Sequence, residues 1–108
     1  MKNIIEDDST EKQSIWAELP SFVERGDGYI DGWKPSEPSG DASLNTLLGE
    51  LYADIAVKYA REVRDPAFVG MVMAAIYFKT TRGLIRMGET EQGFLNRIAR
   101  LAYVGSLN

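Results

Sequence analysis

From residue 41 onward, apolar side chains recur at helical spacing in three stretches separated by turn signals. Asp41 is a favourable N-cap, and a helix is predicted from there to about Arg64. Its apolar stripe is Leu44, Leu47, Leu48, Leu51, Ile55, Tyr59 and Val63, and such a stripe is expected to face a core. Asp54 and Lys58 stand one turn apart in the order that favours an ion pair. Asp65-Pro66 ends this helix and opens the next. A residue before proline resists the α region, Asp caps well, and proline suits the first helical position.

The second helix is predicted from Pro66 to about Met87, with Gly88 closing it. Thr90 is expected to cap a third, from Glu91 to about Val104, with Leu95, Ile98, Leu101 and Ala102 inward and Gly105 as its stop. Gly70 and Gly83, inside the second helix, are read as points of close helix approach. Short connections make consecutive helices antiparallel or steeply crossed.

The second helix has more apolar surface than one core can use. With Lys79 at zero and about 100° per residue, Val69, Val72, Met73, Ile76, Tyr77 and Leu84 fall on one side. Met71, Phe78 and Ile85 gather on another, at roughly 240–280°. A helix apolar on two sides is covered twice. The extra cover is expected from a partner, most simply a second copy, or from the aromatic residues that precede the body.

Those aromatics lie in an arm of different character, residues 1–40. It holds three of the four prolines and a first helix signal, Asp8-Ser9-Thr10-Glu11, followed by Ile15, Trp16 and Leu19 before Pro20. Ser21-Phe22-Val23-Glu24 matches a capping box, residues 27–33 are turn-rich, and residues 34–40 read as an extended linker. Charge divides at the same place. Residues 1–41 carry ten acids against four bases, and the remainder six against eight, within a net charge of −4. The expected fold is therefore all-α: a three-helix body over 41–108, preceded by an acidic, partly irregular N-terminal arm with one short helix.

Composition narrows the chemistry. The chain has no cysteine and no histidine, which removes thiolate sites, the commonest metal ligand and the usual base near neutral pH. No metal or cofactor is expected. Asp27 and Asp31 lack the further ligands of a calcium loop. Arg25-Gly26-Asp27 is read as a turn, and Glu50 with Asp54 as a solvated pair. The apolar run from Phe68 to Phe78 is shorter than the about 20 residues a bilayer requires. The N-terminus lacks the apolar region of a secretory signal, so the expected location is cytoplasmic, with no membrane partner.

Two sets of candidate site residues follow. Trp16, Tyr29 and Trp33 of the arm, with Met71, Phe78 and Ile85, are the candidate protein interface. Lys79, Arg82, Arg86, Arg97 and Arg100 form candidate phosphate contacts. The expected function is that of a non-enzymatic protein-binding module, an inhibitor, adaptor or subunit of an assembly, with a protein partner or a second copy of itself. The alternative is a helical nucleic-acid-associated subunit using the five cations.

Overall fold

The Asp41 carboxylate starts the longest helix by accepting from the Ser43 and Leu44 backbone N–H groups at 2.9 and 3.2 Å. A computed structural model describes residues 19–107, all helix and loop. Its helices are α1 (Gly28–Asp31), α2 (Ala42–Glu62), α3 (Phe68–Thr81) and α4 (Glu89–Leu107). The short helix expected around residues 9–19 lies essentially outside the described residues.

Both α2 and α3 stop in the same way. Past α2, Arg64 takes a left-handed conformation at φ 55°, and its N–H donates to Arg61 O while that of Asp65 donates to Ala60 O. Past α3, Gly83 has φ 72°, and the N–H groups of Gly83 and Leu84 donate to Thr80 O and Lys79 O. This corrects the expected boundary at Met87. Gly83 is not a mid-helix contact point: it reverses the chain, so Leu84, Ile85 and Arg86 lie beyond the helix. Asp65 does open the next segment, accepting from the Ala67 N–H, but Pro66 and Ala67 form a turn before α3 begins. The third body helix starts two residues earlier than expected and continues through Gly105.

The pairing of residues along their contact makes α2 and α4 parallel. Thr46 lies beside Gly93, Gly49 beside Thr90 and Phe94, and Asp54 beside Arg97. The approach is close because both helices present glycine. A Cβ at Gly49 would overlap the Thr90 carbonyl oxygen, and one at Gly93 would overlap the Thr46 carbonyl oxygen. Backbone approaches backbone, with no space for a side chain between.

This contact decides which face of α2 is inward. Its buried residues are Asn45, Gly49, Tyr52, Ala53, Ala56 and Tyr59. Of the predicted stripe, only Tyr59 is buried, and Leu48 and Val63 pack at the margin of the core. Leu44, Leu47, Leu51 and Ile55 are 37–58% exposed. The expectation that they form the core is overturned: the narrow α2–α4 gap admits glycine and alanine, and leucine points away from it.

The core is filled by rings from elsewhere. Phe22, Val23 and Trp33, all from the segment expected to be an arm, pack with Tyr52, Tyr59, Phe68, Val72, Ile76 and Phe94. Residues 34–40 are not a free linker. The Ser36 N–H donates to the Tyr52 hydroxyl at 3.2 Å, and Ser39 N–H donates to Asn45 Oδ1 at 2.8 Å. Asn45 returns a bond to the Ser39 carbonyl at 3.0 Å. The extended segment is thus tied to the flank of α2.

Gly49→Ala and Gly93→Ala are each expected to lower stability by about 1–3 kcal/mol through forced separation of the helices. Gly70→Ala, on α3 with open space around the added methyl, is expected to raise it by about 0.5–1 kcal/mol. Thermal melts followed by circular dichroism measure all three.

Candidate functional site

The centre of the molecule combines an aromatic cluster with a buried carboxylate. Trp33 is fully buried, and its ring centroid lies 5.1 Å from that of Phe94, 5.8 Å from Phe22 and 5.9 Å from Tyr52. Edge-on and tilted pairs of this kind add about 0.5–1.5 kcal/mol each beyond the area they bury. The indole N–H donates to Glu91 Oε2 at 2.9 Å. Glu91 Oε1 accepts from the Gly88 N–H at 2.9 Å, just before α4 begins. Lys79 Nζ donates to the Trp33 carbonyl oxygen at 2.7 Å. One residue therefore joins the loop 32–40, the end of α3 and the start of α4. The arrangement is fully paired: no buried side-chain N or O among the described residues lacks a partner. It ties the three segments together, and Trp33, Lys79 and Glu91 also line one wall of a surface cleft of about 650 Å³.

Of the interface candidates, one lies inside the fold and three are half-buried. Trp33 is core. Met71 and Phe78 are half-buried beneath α1: Gly28 lies against the Met71 side chain, and the Tyr29 ring is 5.5 Å from that of Phe78. The second apolar face of α3 is thus partly covered within the chain by α1. Ile85 is half-buried against the core from the loop after α3, so it does not stack on Phe78 along a helix. Tyr29 is 61% exposed. Trp16 lies outside the described residues.

The five candidate cations are not gathered into one stripe. Arg97 Nε donates to Asp54 Oδ1 at 2.8 Å and Arg100 to Glu50 Oε2 at 2.9 Å, both across the α2–α4 seam. Lys79 is held on Trp33, and the Arg82 guanidinium lies 5.0 Å from the Phe78 ring centroid. Arg86, in the loop, borders a cleft that Glu89 and Glu91 also line. Because α3 ends at Thr81, Arg82 and Arg86 do not continue the helix that carries Lys79. Asp54, expected to pair with Lys58, serves Arg97 instead. Glu50 and Asp54 stay at the surface, where they accept from Arg100 and Arg97. Asp27 caps α1 by accepting from the Tyr29 N–H, and Asp31 accepts from the Asp27 N–H. Among the described residues no cluster of three or more acidic ligands is placed to hold a metal ion.

Among the apolar features open at the surface of the described residues, two stand beside the core. One is a groove of about 570 Å³ lined by Leu19, Val23, Tyr59, Val63, Phe68 and Met71. The other is the α2 stripe of Leu44, Leu47, Leu51 and Ile55, bordered by half-buried Leu48. These residues follow the i, i+3, i+7, i+11 spacing of a helix face. Sequence periodicity found the stripe but assigned it to the core. The signal that separates the two readings is the row of small residues at 49, 53 and 56, which marks the tighter contact.

Comparison of the chain with family models, with curated proteins and with solved structures finds no match. Among the described residues no helix is long and apolar enough to cross a membrane.

Glu91→Ala leaves the Trp33 indole and the Gly88 N–H without their acceptor, at about 1–3 kcal/mol for each buried donor. The expected result is a destabilisation of about 2–4 kcal/mol, with Glu91→Gln intermediate because one amide oxygen replaces two carboxylate oxygens. Urea denaturation followed by circular dichroism measures both.

Proposed function

We propose that this chain is a non-enzymatic, cytoplasmic protein-binding module that works through the exposed leucine face of α2. The observation that carries this reading is the line of Leu44, Leu47, Leu51 and Ile55 in solvent on a helix whose opposite side is already packed. Fully burying one such side chain gains roughly 1.5–3 kcal/mol, so an uncovered row of them is an adhesive surface. Helices that dock into a partner use anchors at this spacing. The role is that of an inhibitor, adaptor or assembly subunit: it presents a rigid helix and carries out no reaction. Of the aromatics expected to anchor the interface, Trp33 belongs to the core, Phe78 is half-buried and Tyr29 is exposed. The interface therefore moves from α3 and the arm to α2.

Support for a phosphate-binding role is correspondingly thin. Arg97 and Arg100 are matched by acids, and Lys79 is held by a backbone carbonyl. A surface that attracts a nucleic acid presents unmatched cations together.

The test is affinity capture from the source cell with the tagged full chain and its Leu47→Glu, Leu51→Glu double variant. The variant is expected to keep its helix content and melting temperature, because both side chains are exposed, and to lose the bound proteins. An unchanged set of bound proteins would remove the α2 face from the account.

A further inference from the structure

The leucine face of α2 is complementary to itself when reversed. Leu48 and Leu51 are equally distant from the Gly49–Glu50 peptide bond, as are Leu44 and Ile55, and as are Asp41 and Lys58. Two copies of α2 laid antiparallel about that point set aliphatic side chains against one another through the middle. At each end an acid meets a base. A parallel pair would instead set Asp41 beside Asp41 and Lys58 beside Lys58. We propose that α2 pairs antiparallel with α2 of a second copy of this chain, through Leu44, Leu47, Leu48, Leu51 and Ile55, with Asp41 of each copy against Lys58 of the other. This rests on the reading of the α2 face as a protein-docking surface and names its occupant.

The end charges are available for this. Asp54, one turn before Lys58, is taken by Arg97, and among the described residues no acid forms an ion pair with Lys58. Asp41 is exposed and uses Oδ1 for capping, which leaves its second oxygen to meet an ammonium group. A two-fold axis makes the two contacts identical, so one favourable Asp41–Lys58 pairing occurs twice. The opposite face of α2 is filled by α4, and no rearrangement of the core is required. The size of the face also sets the strength. The partly exposed aliphatic side chains present a few hundred Å² per copy, less than the about 800 Å² each partner buries in a standard interface. The dimer therefore exchanges with monomer as concentration changes.

Sedimentation equilibrium of the full chain is expected to show a monomer–dimer equilibrium with a dissociation constant on the order of micromolar to millimolar. Leu51→Glu should raise that constant by at least about tenfold. Lys58→Glu should raise it by a smaller factor and should place two acids at each end. Orientation is read by cross-linking, which the natural absence of cysteine makes clean. Under mild oxidation, a mixture of Leu44→Cys and Ile55→Cys chains should form a mixed disulfide, and Leu44→Cys alone should not couple to itself. Coupling of Leu44→Cys to itself would mean parallel pairing and overturn the proposal. A chain that stays monomeric at millimolar concentration overturns it too. Loss of bound proteins in the Leu47→Glu, Leu51→Glu capture would still stand in that case, so failure of self-pairing and failure of the docking reading are distinguishable. A dimer that Leu51→Glu leaves unchanged, in a variant whose circular dichroism matches the parent, places the contact elsewhere and also overturns it.

Discussion

The approach of α2 and α4 at Gly49 and Gly93 constrains the rest of the molecule. With the Gly49 backbone against that of Thr90 and Phe94, the seam accepts alanine at 53 and 56 and excludes leucine. Helix orientation about its own axis is then fixed. A helix has a limited arc, so an arc given to small residues rotates the large ones elsewhere. The leucines of α2 face water because Gly49, Ala53 and Ala56 do not.

A thin seam of small residues buries little apolar area, and the aromatic cluster supplies the deficit. Phe22, Trp33, Tyr52 and Phe94 come from three separate parts of the chain, and their rings lie 4.3 to 6.2 Å apart in five pairs. Two of the four belong to the irregular segment before α2. That segment is structural for the same reason: without Phe22 and Trp33 the helices would meet around a void. The polar ties to Glu91, Lys79, Tyr52 and Asn45 then fix its course, since each buried donor finds an acceptor there.

Charge follows the same geometry. The bridges from Arg97 to Asp54 and from Arg100 to Glu50 border the seam on its solvent side. Their side chains are one-third to one-half exposed, and such pairs contribute about 0–1 kcal/mol each. Their larger consequence is for the surface. They neutralise two cations of α4 and leave Lys58 of α2 without the acid that precedes it by one turn. The leucine face consequently carries a charge at each end, acidic at Asp41 and basic at Lys58.

The sequence by itself determined the fold class, the N-cap at Asp41, the break at Asp65-Pro66 and the lack of any cysteine or histidine side chain. Each of these depends on local rules, the hydrogen-bonding of a capping side chain, the stiffness of proline, or the residues a chain simply lacks. It also displayed Leu44, Leu47, Leu51 and Ile55 as a stripe. Only the tertiary structure decided that the stripe faces outward, because hydropathy ranks leucine above glycine while packing at a narrow seam ranks them the other way. The same holds for Gly83. A glycine in an apolar run is locally compatible with a helix, and its left-handed turn is selected by where Ile85 and Glu91 must reach the core. Trp33 looked like a surface anchor in a loop of turn residues; the indole and its carboxylate partner are 58 positions apart, a distance over which no local pattern operates.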